Sequence, residues 1–321
     1  MDNKKVIVTG GAGFIGSHFV NKYLHRCDLH VIDSLTYASN LNNLSNLFGS
    51  DRLYEVDIAD TEKVFSIFEN IRPDIVINFA AESHVDNSIS TPAIFTKTNV
   101  VGTQTLLDAS LKYGVQKFVQ VSTDEVYGHL TSISENSFTE KTPLNPRSPY
   151  SATKASADLL VKSYVNTFGL DASITRCSNN FGENQHEEKL IPKIVKNAMN
   201  NLPIPIYGSG LNIRDWIYVE DHIDGIFSVI QNGKPGEVYN FGGKRGESEI
   251  TNIDLCKRIL SIMGRDESLI TRVEDRKGHD FRYSVDYSKS EKELSWKPLH
   301  SLNNKLDQVI NSILNRFEKT K

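Results

Sequence analysis

Tyr150 and Lys154 stand four residues apart in the run Pro149-Tyr150-Ser151-Ala152-Thr153-Lys154. Proline suits the first turn of a helix. On a helix, residues i and i+4 share a face about 6 Å apart. A free tyrosine has a pKa of about 10, so service as a base near neutrality needs a fall of about three units, roughly 4 kcal/mol. An ammonium about 5 Å away, at an effective dielectric of about 20, contributes roughly 3 kcal/mol of that. One further positive charge completes the shift. Such a pair suits removal of a hydroxyl proton while a hydride leaves the same carbon. The spacing alone is common, and the plainer reading is an exposed helix face.

A second group is Thr123-Asp124-Glu125, directly after the apolar run Phe118–Val121. A threonine can hydrogen-bond a substrate hydroxyl together with Tyr150. Two adjacent carboxyl groups can divide acid and base work if their surroundings separate their pKa values. The plainer reading is a turn or helix N-cap, which favours Ser, Thr and Asp.

A third group is the glycine run after Val6–Thr9. Gly11, Gly13 and Gly16 match one dinucleotide template, and Gly10, Gly13 and Gly16 a related one. Glycines there permit a tight turn and let backbone amides approach a pyrophosphate at a helix N-terminus. Asp33 ends the next apolar run, 20 residues past Gly13. A carboxylate at that place accepts from ribose hydroxyls and repels a 2′-phosphate. The cofactor expected is therefore NAD, not NADP, and its oxidised ring is a source for the missing positive charge.

These groups need rigid elements to position them. Val6–Val8, Leu29–Ile32, Ile75–Ile77 and Phe118–Val121 are rich in Val and Ile without clean alternation, as in a parallel sheet buried on both faces. Helical patterns lie between them, for example Thr98–Tyr113 with Gly114 as a stop. The rhythm predicts a doubly wound parallel-sheet Rossmann domain over 1–176 and a smaller mixed α/β substrate lobe over 177–321. Helical patterns at Ile191–Asn200 and Ile253–Gly264 belong to that lobe, and the segment about 213–243 returns to the first domain.

The whole chain has 321 residues and a net charge of −4, an ordinary soluble composition with no general attraction to nucleic acid. No run of about 18 apolar residues exists, so no membrane span is expected. The amino terminus lacks a secretory apolar region, and Cys27, Cys177 and Cys256 are too scattered for a disulfide framework or a zinc site. A cytoplasmic protein is expected. His84, His222 and His279 lack ligand spacing, so no metal is expected.

Together, TGGAGFIGS, STDEVYG and YSATKA resemble the extended short-chain dehydrogenase/reductase family, in its branch that modifies nucleotide sugars. The resemblance covers nearly the whole chain. AAESHVD (Ala80–Asp86), TRCSNNFG (Thr175–Gly182), EKLIP (Glu188–Pro192), NIRDWIYVEDH (Asn212–His222) and DRKGHDFRY (Asp275–Tyr283) are similar to family segments. Related epimerases usually carry small or neutral residues at Asp124 and Glu125, so the pair implies a 4,6-dehydratase.

The resemblance implies NAD contacts from Gly10, Gly13, Phe14, Ile15, Gly16, Asp33, Ser34, Leu35, Thr36, Asp57, Ile58, Ala80, Ala81, Ser83, Thr98, Tyr150 and Lys154. It implies that Ser83, Thr123, Asn179, Lys189, Leu190, Ile206, Tyr207, Arg214, Arg276 and His279 hold the nucleotide sugar. Thr123, Asp124, Glu125, Tyr150 and Lys154 carry the implied chemistry, and dTDP-glucose is the expected substrate. A UDP-glucose dehydratase, a sugar-nucleotide 4-epimerase and a non-enzymatic NAD-binding scaffold stand behind that reading in that order. Asn87 and Ser209 depart from the residues usual in the family, as does the loop around Lys244–Thr251. These positions bear on the choice of base and sugar, not on the proposed chemistry. A homodimer is expected, packed through the Tyr150 helix with Ala152, Ala155 and Ala157, and through 98–113 with Val100, Val101, Leu106 and Leu107.

Overall fold

The computed structural model describes residues 1–44, 47, 49–275 and 278–319. The chain begins with β1 (Lys5–Thr9), α1 (Phe14–Tyr23), β2 (Asp28–Asp33), β3 (Leu53–Glu55), α2 (Thr61–Ile71) and β4 (Ile75–Asn78). Two short helices follow, α3 (Val85–Ser90) and α4 (Pro92–Phe95). A π-helical segment, Thr96–Gly102, leads from them into α5 (Thr103–Tyr113). Next come β5 (Lys117–Thr123), α6 (Pro149–Phe168) and β6 (Ala172–Cys177). The remainder is β7 (Asn179–Phe181), α7 (Leu190–Met199), β8 (Ile204–Tyr207), β9 (Ile213–Tyr218), α8 (Val219–Asn232), β10 (Val238–Phe241), β11 (Glu249–Thr251), α9 (Asn252–Ile262), β12 (Ile270–Val273), α10 (Ser288–Leu294) and α11 (Leu302–Lys319).

Seven strands form one sheet in the order β10-β6-β5-β4-β1-β2-β3, every neighbouring pair parallel. Both faces are covered, which explains the unbroken apolar runs. Val6, Val8, Ile77 and Val119 join Phe19, Ile223 and Ile226 on one face. Ile7, Val76, Phe118 and Ile174 join Phe68, Leu106 and Val161 on the other. The chain order reverses direction between β1 and β4. A crevice therefore opens beyond their carboxyl ends, the usual ligand site of such sheets.

A smaller lobe has a three-stranded sheet, β11-β9-β7, and a two-stranded one, β12-β8. Its helix α11 packs on α7, α9 and β9. Within 213–243, β9 stays in the three-stranded sheet, while α8 packs on β5 and β6 and β10 pairs with β6. No helix among the described residues is long and apolar enough to cross a membrane.

The helix expected at 98–113 starts earlier and opens with π-helical geometry, which places Asn99 inward, 1% exposed. Several residues offered for dimer packing are spent inside the protomer: Leu106, Leu107, Ala155 and Ala157 are buried. Val101 and Ala152, also offered for that packing, do face outward, as do Ile94, Leu159 and Phe168.

Candidate active site

The glycine turn leaves β1 with Gly10 at φ +68°, a left-handed conformation that favours glycine. A Cβ on Gly10 would sit 2.7 Å from the Ala80 backbone nitrogen, and one on Gly16 would sit 2.2 Å from the Gly10 carbonyl oxygen. Gly11 packs against Val31, and a Cβ there would lie 2.7 Å from its side chain. Both glycine templates are therefore realised at once. Helix α1 has no side-chain N-cap and no acid in its first turn, so its positive end is available to a phosphate. The buried Asp33 carboxylate accepts from Ala12 N at 2.8 Å, Leu35 N at 2.9 Å and Ser39 Oγ at 2.7 Å. It is thus also the clamp that holds the glycine turn to the loop after β2.

A cleft of about 300 Å³ runs from this turn to the end of β5. Gly10, Gly13, Phe14, Ile15, Gly16, Asp33, Ser34, Thr36, Asp57, Ile58, Ala80, Ala81, Ser83, Thr98, Tyr150 and Lys154 all line it. Leu35 does not: it takes φ +50° in the turn, gives its N–H to Asp33 and packs its side chain towards the core.

At the far end of the cleft, Ser148 caps α6 in a capping box and Pro149 begins the first turn. This sets Tyr150 and Lys154 on one inward face, 9% and 4% exposed. Lys154 Nζ donates to the Val121 carbonyl at 2.7 Å. Burial and the Glu125 carboxylate push the Tyr150 phenol well above its ordinary value, while the Thr123 hydroxyl works the other way. This agrees with the expectation that Lys154 needs a further positive charge beside it before Tyr150 can act as a phenolate. Burial also lowers Lys154, against the opposing charge of Asp158.

Thr123 ends β5, and its hydroxyl accepts from Glu125 N at 3.3 Å, so the N-cap reading of this triplet is also realised. Asp124 is 2% exposed, and its Oδ2 has no hydrogen-bond partner. Burial, then the charges of Glu125 and Asp215, raise Asp124 well above the carboxylate range. Glu125 is only half-buried. The two neighbours thus have the divided environments that acid and base work requires.

A second cleft of about 210 Å³ holds Asn179, Lys189, Leu190, Ile206, Tyr207, Arg214 and His279. It shares Ser83, Glu125, Asn179, Gln185, Glu188 and Lys189 with the first, so the two meet along these residues, Glu125 among them. Thr123 faces the first cleft only, and Arg276 lies outside the described residues. The Arg214 guanidinium donates to the carbonyls of Ile213, Phe281 and Asp280 and lies 4.5 Å from the Tyr283 ring centre. Lys189 Nζ reaches the Ser83 carbonyl at 3.2 Å. His279 pairs with Asp275 at 2.6 Å.

Reasoning from sequence missed several residues that line the site. Cys177, Asn180 and Gln185 floor the first cleft, and Tyr283 the second. Asn180 donates to Cys177 Sγ at 3.3 Å and meets the buried His222 Nδ1 at 2.9 Å. The segments TRCSNNFG and DRKGHDFRY contain Cys177, Asn180 and Tyr283, whereas Gln185 lies outside both. Among the described residues, no group of three or more His, Cys, Asp or Glu could hold a metal ion.

The residues present fit NAD. Gly10, Gly13 and Gly16 line the cleft at the uncapped amino end of α1, and Ser122 Oγ in the same cleft is buried without a partner. Fold and site define a Rossmann-type protein of the short-chain dehydrogenase/reductase class. A family model described as GDP-mannose 4,6 dehydratase matches residues 7–309, and the chain belongs to that family. It is 48% identical to the low-salt glycan biosynthesis protein Agl12 of Haloferax volcanii, over 96% of this chain and 98% of that one. It is 47% identical to a dTDP-glucose 4,6-dehydratase of Streptomyces antibioticus, over 91% of this chain and 87% of that one. The crystal structure of DesIV, a dTDP-glucose 4,6-dehydratase from Streptomyces venezuelae with NAD and TYD bound, superposes with a TM-score of 0.92 at 45% identity. That match covers 97% of each chain.

Proposed function

We propose that this protein converts dTDP-glucose to dTDP-4-keto-6-deoxyglucose through an internal redox cycle on NAD. The observation that carries the proposal is the junction of the two clefts. There a buried, proton-retaining Asp124 and a half-buried Glu125 stand beside Tyr150 and Lys154. An epimerase needs the tyrosine and lysine only, and a scaffold needs neither. The dTDP-sugar reading rests on the similarity to dTDP-glucose 4,6-dehydratases.

When bound, NAD would supply a two-electron store for the hydride exchanged between sugar carbons 4 and 6, and the charge of its oxidised ring would favour the Tyr150 phenolate. Tyr150, assisted by Thr123 and with Lys154 behind it, takes the carbon 4 hydroxyl proton. The resulting ketone acidifies carbon 5; Glu125 removes that proton and gives it back to carbon 5 when hydride reaches carbon 6. Asp124 donates its proton to the hydroxyl leaving carbon 6. The nucleotide sugar lies along the second cleft, held by Asn179, Lys189, Leu190, Ile206, Tyr207, Arg214, His279 and, by resemblance, Arg276. The residues lining the first cleft hold NAD. We assign 1–176 with the returning segment about 213–243 to the NAD domain, and the rest to the sugar-nucleotide lobe.

Incubation with dTDP-glucose, UDP-glucose and GDP-mannose in turn tests this. The expected result is a keto sugar, absorbing in alkali, from dTDP-glucose at the highest kcat/KM. Preference for another nucleotide corrects the base. Galactose products, or no turnover, overturn the dehydratase reading.

A further inference from the structure

Helix α6 continues its inward stripe one step past the reacting pair: Tyr150, Lys154 and Asp158 follow at intervals of four. Asp158 is fully buried. Arg176, from β6 and 2% exposed, donates to Asp158 Oδ2 through Nε at 2.9 Å, while Asp158 Oδ1 has no hydrogen-bond partner. The Arg176 guanidinium is fixed from its other side by the Tyr127 ring, 4.7 Å from the ring centre, and Tyr127 donates to Asn240 at 2.8 Å. A buried ion pair is a weak source of stability, because desolvation offsets its attraction. A pair held this firmly directly behind Lys154 calls for another account.

Lys154 sits in low-dielectric surroundings with one hydrogen bond to Val121 O. The titratable and charged groups around it are Tyr150 and Asp158 on α6, Arg176 and Cys177 on β6, and Asp124, Glu125 and Tyr127 from the turn after β5. Of these, Asp158 and Cys177 act on Lys154, Asp158 more strongly. Asp124 and Glu125 act on Tyr150 instead. We infer that Asp158, held by Arg176, is a positioning residue that keeps the buried Lys154 an ammonium, so that Tyr150 can be deprotonated. It touches neither substrate nor cofactor. The inference rests on the role proposed above for Lys154, but its direct readout does not.

The test gives the two members of the pair opposite signs. In Asp158→Asn, Lys154 loses its counter-charge and faces Arg176 alone. The alkaline limb of the pH–kcat profile then moves down by about one pH unit or more. In Arg176→Met, the Asp158 charge is no longer shared, and the limb stays or moves up. In the double variant no buried charge remains unpaired, so it keeps the fold where a single variant loses it, and its limb also lies below the parent's. Carbon-13 NMR of ε-labelled lysine, with the Lys154 signal assigned by its loss in Lys154→Met, follows the same titration without any turnover. Matching shifts in that signal support the inference even if no sugar nucleotide is dehydrated. Unmoved limbs and unmoved NMR titrations overturn it, as does a downward shift of equal size in both single variants, which marks a shared packing defect.

Discussion

Asp124 and Glu125 are adjacent in the chain but not in environment. One is enclosed with an unpartnered oxygen, and the other opens on both clefts. Asp124→Asn should leave oxidation at carbon 4 nearly intact, because Thr123, Tyr150 and Lys154 remain. Loss of water should slow by about 10²–10⁴-fold, the usual worth of general acid catalysis, since an amide cannot give a proton to the leaving hydroxyl. Glu125→Gln should spare oxidation too and suppress exchange of the carbon 5 proton with solvent. Near-ultraviolet absorbance of reduced cofactor should accumulate with either variant when dTDP-glucose is added. Dehydration at the parent rate in both would make the carboxylates structural. The triplet itself was legible in the sequence. Its electrostatics were not, because Asp215, which helps to hold the Asp124 proton, arrives from β9, far along the chain.

At the scale of elements, the glycine turn is the narrowest constraint. Gly16 lies in α1, where alanine would ordinarily gain about 1 kcal/mol of helix propensity. Its Cβ would nevertheless meet the Gly10 carbonyl. Gly16→Ala should therefore distort the turn, lower the cofactor content of the purified protein and lower Tm together. Full cofactor content with a raised Tm would show that the turn can yield. The sheet strands and this turn were readable because their signals are local: apolar runs, glycine spacing and a terminal acid. The sheet of β7, β9 and β11 was not, since two of its three strands are only three residues long and their register is set by tertiary contacts. The same holds for Gln185, whose backbone carbonyl is gripped by Arg316 of α11 at 2.9 Å, across 131 residues of chain. Outward apolar residues belong here too. A four-helix dimer through α4–α6 would cover Ile94, Val101 and Leu159, exposed by 50%, 45% and 58%. Light scattering at micromolar concentration should give twice the protomer mass. Leu159→Asp with Val101→Asp should halve it, and a monomeric parent would defeat the proposal.

For the whole molecule, buried titratable groups make acid stability a balance of opposing terms. His222 is fully buried and held neutral, pushed down to about 3 by desolvation. The unfolded chain gains that proton first as pH falls below about 6.5, so the folded state loses stability from there downwards, roughly 3 kcal/mol by pH 4.5. Asp215, buried and raised to about 6, has the opposite sign. Its ionised form costs stability above pH 6, and protonation in the folded state relieves that cost as pH falls, by about 2 kcal/mol at pH 4.5. Asp124 acts in the same direction as Asp215. His222 and Asp215 taken alone leave a loss of about 1 kcal/mol by pH 4.5, and Asp124 works against that loss, so Tm of the parent should not fall between pH 7 and 4.5 on their account. His222→Gln keeps a donor for Asn180 Oδ1 but cannot take a proton, so its Tm should rise relative to the parent as pH falls. Asp215→Asn keeps an acceptor for Gly243 N but loses the relief, so its Tm should fall more steeply. The check is scanning calorimetry of the three proteins from pH 7 to 4.5. Curves that diverge with opposite signs support the balance, whereas parallel curves would mean that neither group titrates differently on unfolding.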